Sequence, residues 1–196
     1  MTAPSTALAG GFADPARDGA RAFRALLDAM SRPGTLHRLT AAAPPAPLPS
    51  AAGALALALC DADAPLWLAP DLATPAVRDW LTFHTSAAPT DDPARAAFAM
   101  GAPQALAPAD RFPAGAPEAP EDAAALIVLL PAFAGRAARL TGPGIRTETR
   151  LPLGPALDPV RALRDGPGFP LGRDLYLIAG ETLAALPRTT RLTPEP

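Results

Sequence analysis

With 196 residues and 17 basic against 19 acidic side chains, a net charge of −2, the chain has the length of one ordinary domain and can bury a core without disulfides. It carries no basic field with which to hold nucleic acid or an anionic membrane non-specifically. All 17 basic side chains are arginine, which excludes a pyridoxal-phosphate Schiff base, a Walker-A lysine and a lysine general base but leaves bidentate contacts to carboxylates and phosphates open.

The opening "MTAPSTALAGGF" has neither a basic leader segment nor a sustained apolar run, and no apolar stretch reaches the roughly 18 residues of a membrane span. A soluble, cytoplasmic protein is expected. "DPARDGARAFRALLDAMSRPG" follows as a helix: Asp14 caps it, Pro15 suits its first position, and Phe23, Leu26, Leu27 and Met30 share one face at i, i+3, i+4, i+7. Arg32-Pro33-Gly34 stops the helix, "TLHRL" makes a short strand, and a loop runs from Pro44 to Pro49. Ser50 is placed as the cap of a second helix, "AAGALALALC". The single Cys60 closes that run, either as a small core hydrophobe or as a reactive thiol.

"DADAP" is a turn and "LWLA" a short buried strand. Thr74-Pro75 then opens a third helix whose Val77, Trp80, Leu81 and His84 recur at helical spacing. "RAAFAM" reads as a strand, and residues 102–122, rich in Ala and Pro, as an irregular surface excursion within a single domain spanning 1–196. "AAALIVLL" is the clearest strand. "FAGRAARLTGPGIRTETRLPL" continues it as an antiparallel meander, a short helix starts at Asp158-Pro159, and "RDLYLIAG" and "TLAALPRTTRL" are two further strands joined near Gly180. Such an inventory packs as a layered α/β domain with a mixed, partly antiparallel sheet.

Chemistry concentrates in few places. "RLTGPGIR" sets Gly142 and Gly144 between Arg139 and Arg146, with Arg136 nearby. A phosphate cradle needs inward N–H groups and usually a following helix, whereas here a strand-like sequel follows and Pro143 removes a donor; a β-turn corner and an anion nest both stay open. His84, with Thr85 at a helix C-terminus, suits either a general acid/base or a packed, carbonyl-capping imidazole beside Trp80. His37 reads as structural. Asp61 and Asp63 offer a magnesium site or an Asx turn, and Arg188 with Thr189 offers a phosphate grip or a solvated strand end. Two histidines and one cysteine, far apart, lack the spacing of a zinc site, so no metal is expected.

"FRALLDAMSRPG", "DADAPLWL", "FHTSA", "RLTGPGI", "FPLGRDL" and "LPRTT" occur in an order and at spacings that resemble the PhnH family, the H subunit of the bacterial carbon–phosphorus lyase system, over residues 12–190. The resemblance implies a three-layer domain similar to the large domain of pyridoxal-phosphate transferases but without that cofactor, and no cofactor of another kind. It implies a place in a multi-subunit core complex with G, I and J subunits, which uses ATP and an alkylphosphonate to displace adenine and give ribose 1-phosphonate 5-triphosphate. The nucleosidase-like chemistry belongs to the I subunit in that picture. The H subunit is then a homodimer in isolation and an assembly or substrate-presenting partner, or else a ligand-binding subunit gripping a phosphorylated molecule with Arg139, Arg188 and His84. No catalytic set carries over. The motif positions matched are Phe23, Arg24, Met30, Pro33, Gly34, His84, Thr85, Arg139, Thr141, Gly142, Gly144, Pro170, Gly172, Arg188 and Thr189. Of these, Arg24, His84, Thr85, Arg139, Thr141, Gly142, Gly144, Arg188 and Thr189 are the expected ligand-binding or interface residues.

Overall fold

Asp14 accepts a hydrogen bond from Arg17 N at 3.1 Å and so starts α1 (Pro15–Ser31), as its cap position and the following proline require. The computed structural model describes residues 8–194; residues 1–7, on which the reading of the N-terminus as leaderless partly falls, lie outside the described residues. The buried face of α1 is Ala22, Leu26 and Ala29, rotated from the one expected. Phe23 and Leu27 point to solvent, because the small side chains let α1 lie close against its neighbours.

A two-residue strand, β1 (His37–Arg38), precedes the proline loop and α2 (Ser50–Leu59). Ser50 does not cap α2: it is the first helical residue, and its hydroxyl donates back to Ala42 O at 2.6 Å. Then come β2 (Leu66–Leu68), α3 (Pro75–Thr85), capped by Thr74 through Val77 N, and β3 (Phe98–Gly101). The tract from 102 to 122 holds α4 (Pro103–Leu106) and two single turns. It goes deeper than a surface excursion, burying Leu106 and Phe112.

β4 (Ala125–Leu129), β5 (Ala137–Thr141), β6 (Thr149–Pro152), α5 (Leu157–Ala162), β7 (Asp174–Ala179), β8 (Thr182–Leu186) and β9 (Arg191–Pro194) complete the chain. Six strands form one sheet in the order β1-β8-β7-β4-β3-β2. Within it β2, β3, β4 and β7 are parallel, while β8 and β1 add antiparallel at one edge. The protein is therefore α/β with a mixed, partly antiparallel sheet. The helices α1, α2 and α3 pack side by side and reach the sheet through β7 and β8, whereas α4 meets β3, β4 and α5.

One expectation fails here. β5 and β6 do not continue β4; they form a second, three-stranded sheet, β6-β5-β9, and "TLAALPRTTRL" breaks at Pro187 into strands of different sheets. The physical reason lies in burial. Leu126, Ile127 and Val128 are all buried, as a parallel strand covered on both faces must be. β5 instead alternates buried Ala138 and Leu140 with exposed Arg139, the pattern of an antiparallel strand wet on one side.

Candidate functional site

The glycine corner is a tight turn. Ile145 N donates to Gly142 O at 3.1 Å, with Pro143 in the second position and Gly144 at φ 81° in the third, the geometry of a type II turn. The turn's hydrogen bond thus closes on its own carbonyl. Its glycines also permit close approach: a Cβ on Gly144 would lie 2.3 Å from Ser31 O and 2.9 Å from Pro33 Cδ, and one on Gly142 would lie 3.0 Å from Thr189 O. A Cβ on Gly34 would meet Leu140 Cδ1 at 2.7 Å. Three separate sequence motifs, "SRPG", "RLTGPGI" and "LPRTT", therefore meet at one place through bare backbone.

Beside this corner lies a cluster of arginines. Arg188 binds Asp174 through its own backbone N–H at 2.6 Å and through Nη2 at 2.9 Å, and Nη1 donates to Pro120 O at 2.6 Å. Both side chains are mostly covered, at 16% and 22% exposed. Arg164 spreads its fork over four carbonyls: Nη1 donates to Arg173 O and Leu186 O, Nη2 to Pro187 O and Thr190 O, at 2.8–3.2 Å. Arg173 donates twice to Phe112 O. Burial pulls the Arg164 guanidinium below the ordinary arginine range, with Asp174 opposing and Arg188 adding to the effect. Arg173 is lowered by burial too, against the pull of Asp110.

Arg164, Arg173 and Asp174 escaped the sequence reading. The only signal for them was an Arg-Asp pair opening an apolar strand, "RDLYLIA", where one charge would need an internal partner. Arg139, by contrast, points outward to Glu148 at 3.3 Å. Thr141 sits opposite Arg191 in the small sheet, and Thr189 lends its carbonyl to the approach of Gly142.

His84 and Thr85 lie elsewhere, at the end of α3 beside β2, the far edge of the main sheet. The His84 Nε2 contacts Leu8 O at 2.9 Å, so this nitrogen donates, and the ring stacks against Trp80 with centroids 4.8 Å apart. Trp80 Nε1 donates to Ala9 O at 2.9 Å. Together they hold the segment at residues 8–11 against α3, and Gly11 is needed there because a Cβ would fall 2.4 Å from His84 Cε1. Thr85 donates to Leu81 O and accepts from Ala87 N, finishing the helix. At the other histidine, His37 meets Thr35 Oγ1 at 2.8 Å while that hydroxyl donates to Arg32 O. This arrangement ties off α1. Asp61 accepts from Asp63 N at 3.0 Å, an Asx turn. Arg24 stands exposed on α1.

The excursion adds one site that the sequence hid: Arg111 lies over the rings of Trp67 and Phe112, 4.6 and 4.8 Å from their centroids, and donates to Ala105 O. It faces a cavity of about 520 Å³ shared with Arg78 and Asp91. Cys60 is buried, and desolvation followed by the charge of Asp61 pushes its thiol up to about 12; burial and Asp174 raise Tyr176 to about 12 as well. Both groups ionise at lower pH in the unfolded chain, so the folded state holds more protons in alkali. Their contribution to stability is complete below pH 9.0 and is lost as pH rises toward about 12. The urea midpoint is expected to fall over that window, and a thiol reagent at neutral pH to label Cys60 only on unfolding. Rapid labelling of the native protein would contradict this placement.

Comparison with known proteins agrees with the motif pattern. A family model described as bacterial phosphonate metabolism protein (PhnH) matches residues 10–193. The chain is 43% identical, over the full length of both, to the alpha-D-ribose 1-methylphosphonate 5-triphosphate synthase subunit PhnH of Rhizobium meliloti (strain 1021). It is also 39% identical over 82 residues, 40% of this chain and 42% of the relative, to a putative C-P lyase subunit protein, HtxG, of Stutzerimonas stutzeri. No helix among the described residues is long and apolar enough to cross a membrane. On a match that runs from residue 10 to residue 193 and an identity sustained along the whole sequence, the chain belongs to the PhnH family of bacterial phosphonate metabolism proteins.

Proposed function

We propose that this chain is a non-catalytic assembly subunit of a complex that makes alpha-D-ribose 1-methylphosphonate 5-triphosphate, or a close alkyl analogue, in carbon–phosphorus lyase catabolism. One observation carries the reading beyond kinship: the groups best suited to grip a phosphorylated ligand are already engaged by the chain itself. Arg188 is bound to Asp174 and carbonyls, Arg139 to Glu148, and the His84 ring to Leu8 O. Arg188 would have to give up a half-buried carboxylate to take a phosphate, and so gains little by the exchange.

The partners in this reading are the G, I and J subunits, and the isolated chain is a homodimer. Four parallel strands bordered by an antiparallel pair support kinship with the large domain of pyridoxal-phosphate transferases, and the absence of lysine fits a lineage that has no use for the cofactor. Co-expression with the G, I and J subunits from the same organism tests the proposal: a single complex of fixed stoichiometry is expected on size exclusion. A monodisperse chain that never joins them defeats it. Addition of ATP at millimolar concentration is expected to leave the melting temperature of the isolated chain unchanged, since a ligand selective for the native state must raise it. A clear rise moves the assignment to a ligand-binding subunit.

A further inference from the structure

α1 carries on its outward side groups that its own fold leaves unanswered. Phe23 is 46% exposed and Leu27 54%, one helical turn apart, even though the same helix buries Ala22, Leu26 and Ala29 on its inner side. Next to this apolar pair, Arg17, Arg21 and Arg24 recur at i, i+4, i+7 and so share a face; all three are exposed. Arg21 comes no closer than 3.8 Å to Asp18, with 75% of its side chain in solvent. Among the described residues, Arg17 and Arg24 have no acidic partner. Between the two groups sits exposed Ala20, whose methyl leaves a shallow hollow of about 350 Å³ bordered by these arginines.

The charge pattern is unusual for this chain. Elsewhere many of its arginines are answered, Arg32 by Asp28, Arg38 by Glu181, Arg78 by Asp91, Arg139 by Glu148 and Arg188 by Asp174, and the exposed Arg95, Arg146 and Arg191 stand on separate segments of the chain and not in a row on one helix. A protein with more acidic than basic residues nonetheless keeps three cations in a row on one helix, flanked by two large apolar side chains. Desolvated aromatic anchors bordered by arginines are the composition of an interface core and its rim.

We propose that this face of α1 docks an acidic protein surface on a fellow subunit of the assembly, with carboxylates meeting Arg17, Arg21 and Arg24 and an apolar recess receiving Phe23 and Leu27. The proposal rests on the assembly reading above and adds its address. An anionic membrane fits less well: the whole chain is net negative, and the other exposed phenylalanines, Phe83 and Phe169, lie on α3 and in the loop before β7 instead of widening this patch.

The test co-expresses the remaining subunits with the wild-type chain, with Arg17→Glu/Arg24→Glu, with Phe23→Ser/Leu27→Ser, and with Arg95→Glu as an exposed control, and measures capture by an affinity tag on a partner. Capture of each double variant is expected to fall about tenfold or more, and that of the control to stay at the wild-type level. Far-UV circular dichroism and melting temperature should hold in every variant, because the altered side chains are exposed and a carboxylate at position 17 sits favourably in the first turn of α1. Raising the ionic strength from about 0.1 M to about 1 M, which shortens the screening length from about 10 to about 3 Å, should weaken wild-type capture. Double variants captured as well as wild type overturn the docking face and leave the assembly reading standing. A wild-type chain that is not captured removes both. Wild type that sediments with phosphatidylglycerol vesicles, and loses this on arginine reversal while assembly is unaffected, assigns the face to a membrane and overturns the proposal.

Discussion

Arg164→Ala is expected to lower stability by about 3 kcal/mol, because each buried carbonyl left without a donor costs about 1–3 kcal/mol and water reaches only some of them. For a chain of this length that corresponds to a fall of about 6–12 °C in melting temperature. The size of the effect comes from the number of acceptors that share one guanidinium. Arg173 O, Leu186 O, Pro187 O and Thr190 O all face it, and they belong to the start of β7, the end of β8 and the loop that carries the chain to β9 in the other sheet. Pro187 O also accepts from Thr190 N at 2.8 Å and keeps that donor without the arginine, so the loss falls on the other three. Arg164→Lys keeps the charge but concentrates its donors on one nitrogen, so it cannot span four acceptors and recovers only part of the loss. Arg164→Met restores much of the side-chain volume and none of the hydrogen bonds, and should resemble alanine. A loss below about 1 kcal/mol for Arg164→Ala, within the range of an ordinary surface change, would mean that the carbonyls find water and that the arginine is dispensable to the junction of the two sheets.

That junction shows where the sequence is readable. Helix starts are local matters, so Asp14 with Pro15 and Thr74 with Pro75 announced α1 and α3, and the hairpin at Gly180 announced itself by its turn residue. Pairing direction is not local. "AAALIVLL" looks the same whether its neighbours run parallel or antiparallel, and the β3 and β7 partners of β4 come from chain on either side of it. The face of α1 misled for a related reason: Phe23, Leu26, Leu27 and Met30 form a regular stripe, but the spacing does not say whether the fold or a partner covers each member. In the candidate site, the corner was legible as a turn because Pro143 and Gly144 stand at the two positions that such a turn dictates. Its neighbours were not. Arg164 and its most distant acceptor are 26 residues apart, and no periodicity reports a bond from a side chain to a remote carbonyl.

Gly144→Ala is expected to cost about 3 kcal/mol or more, in contrast to about 1–2 kcal/mol for the strained backbone alone, and Gly180→Ala serves to separate the two contributions. Both glycines have positive φ, 81° and 58°, so both substitutions incur the conformational penalty. A Cβ at Gly180 meets nothing within 4 Å, whereas one at Gly144 falls 2.3 Å from Ser31 O. The obstacle is main chain at the end of α1, so no side chain can swing aside; the corner and the "SRPG" loop must move apart, disturbing the contact of Gly34 with Leu140 as well. Asparagine sharpens the comparison, since it tolerates the left-handed region better than alanine. Gly180→Asn should recover stability relative to Gly180→Ala, and Gly144→Asn should not, because it carries the same Cβ. Urea midpoints at constant slope supply the four values. Equal losses at the two positions would show that the α1 end yields easily to the corner, and that the meeting of the three motifs is a contact the fold tolerates losing; a larger loss at Gly144 that asparagine leaves in place shows that the bare backbone itself holds them together.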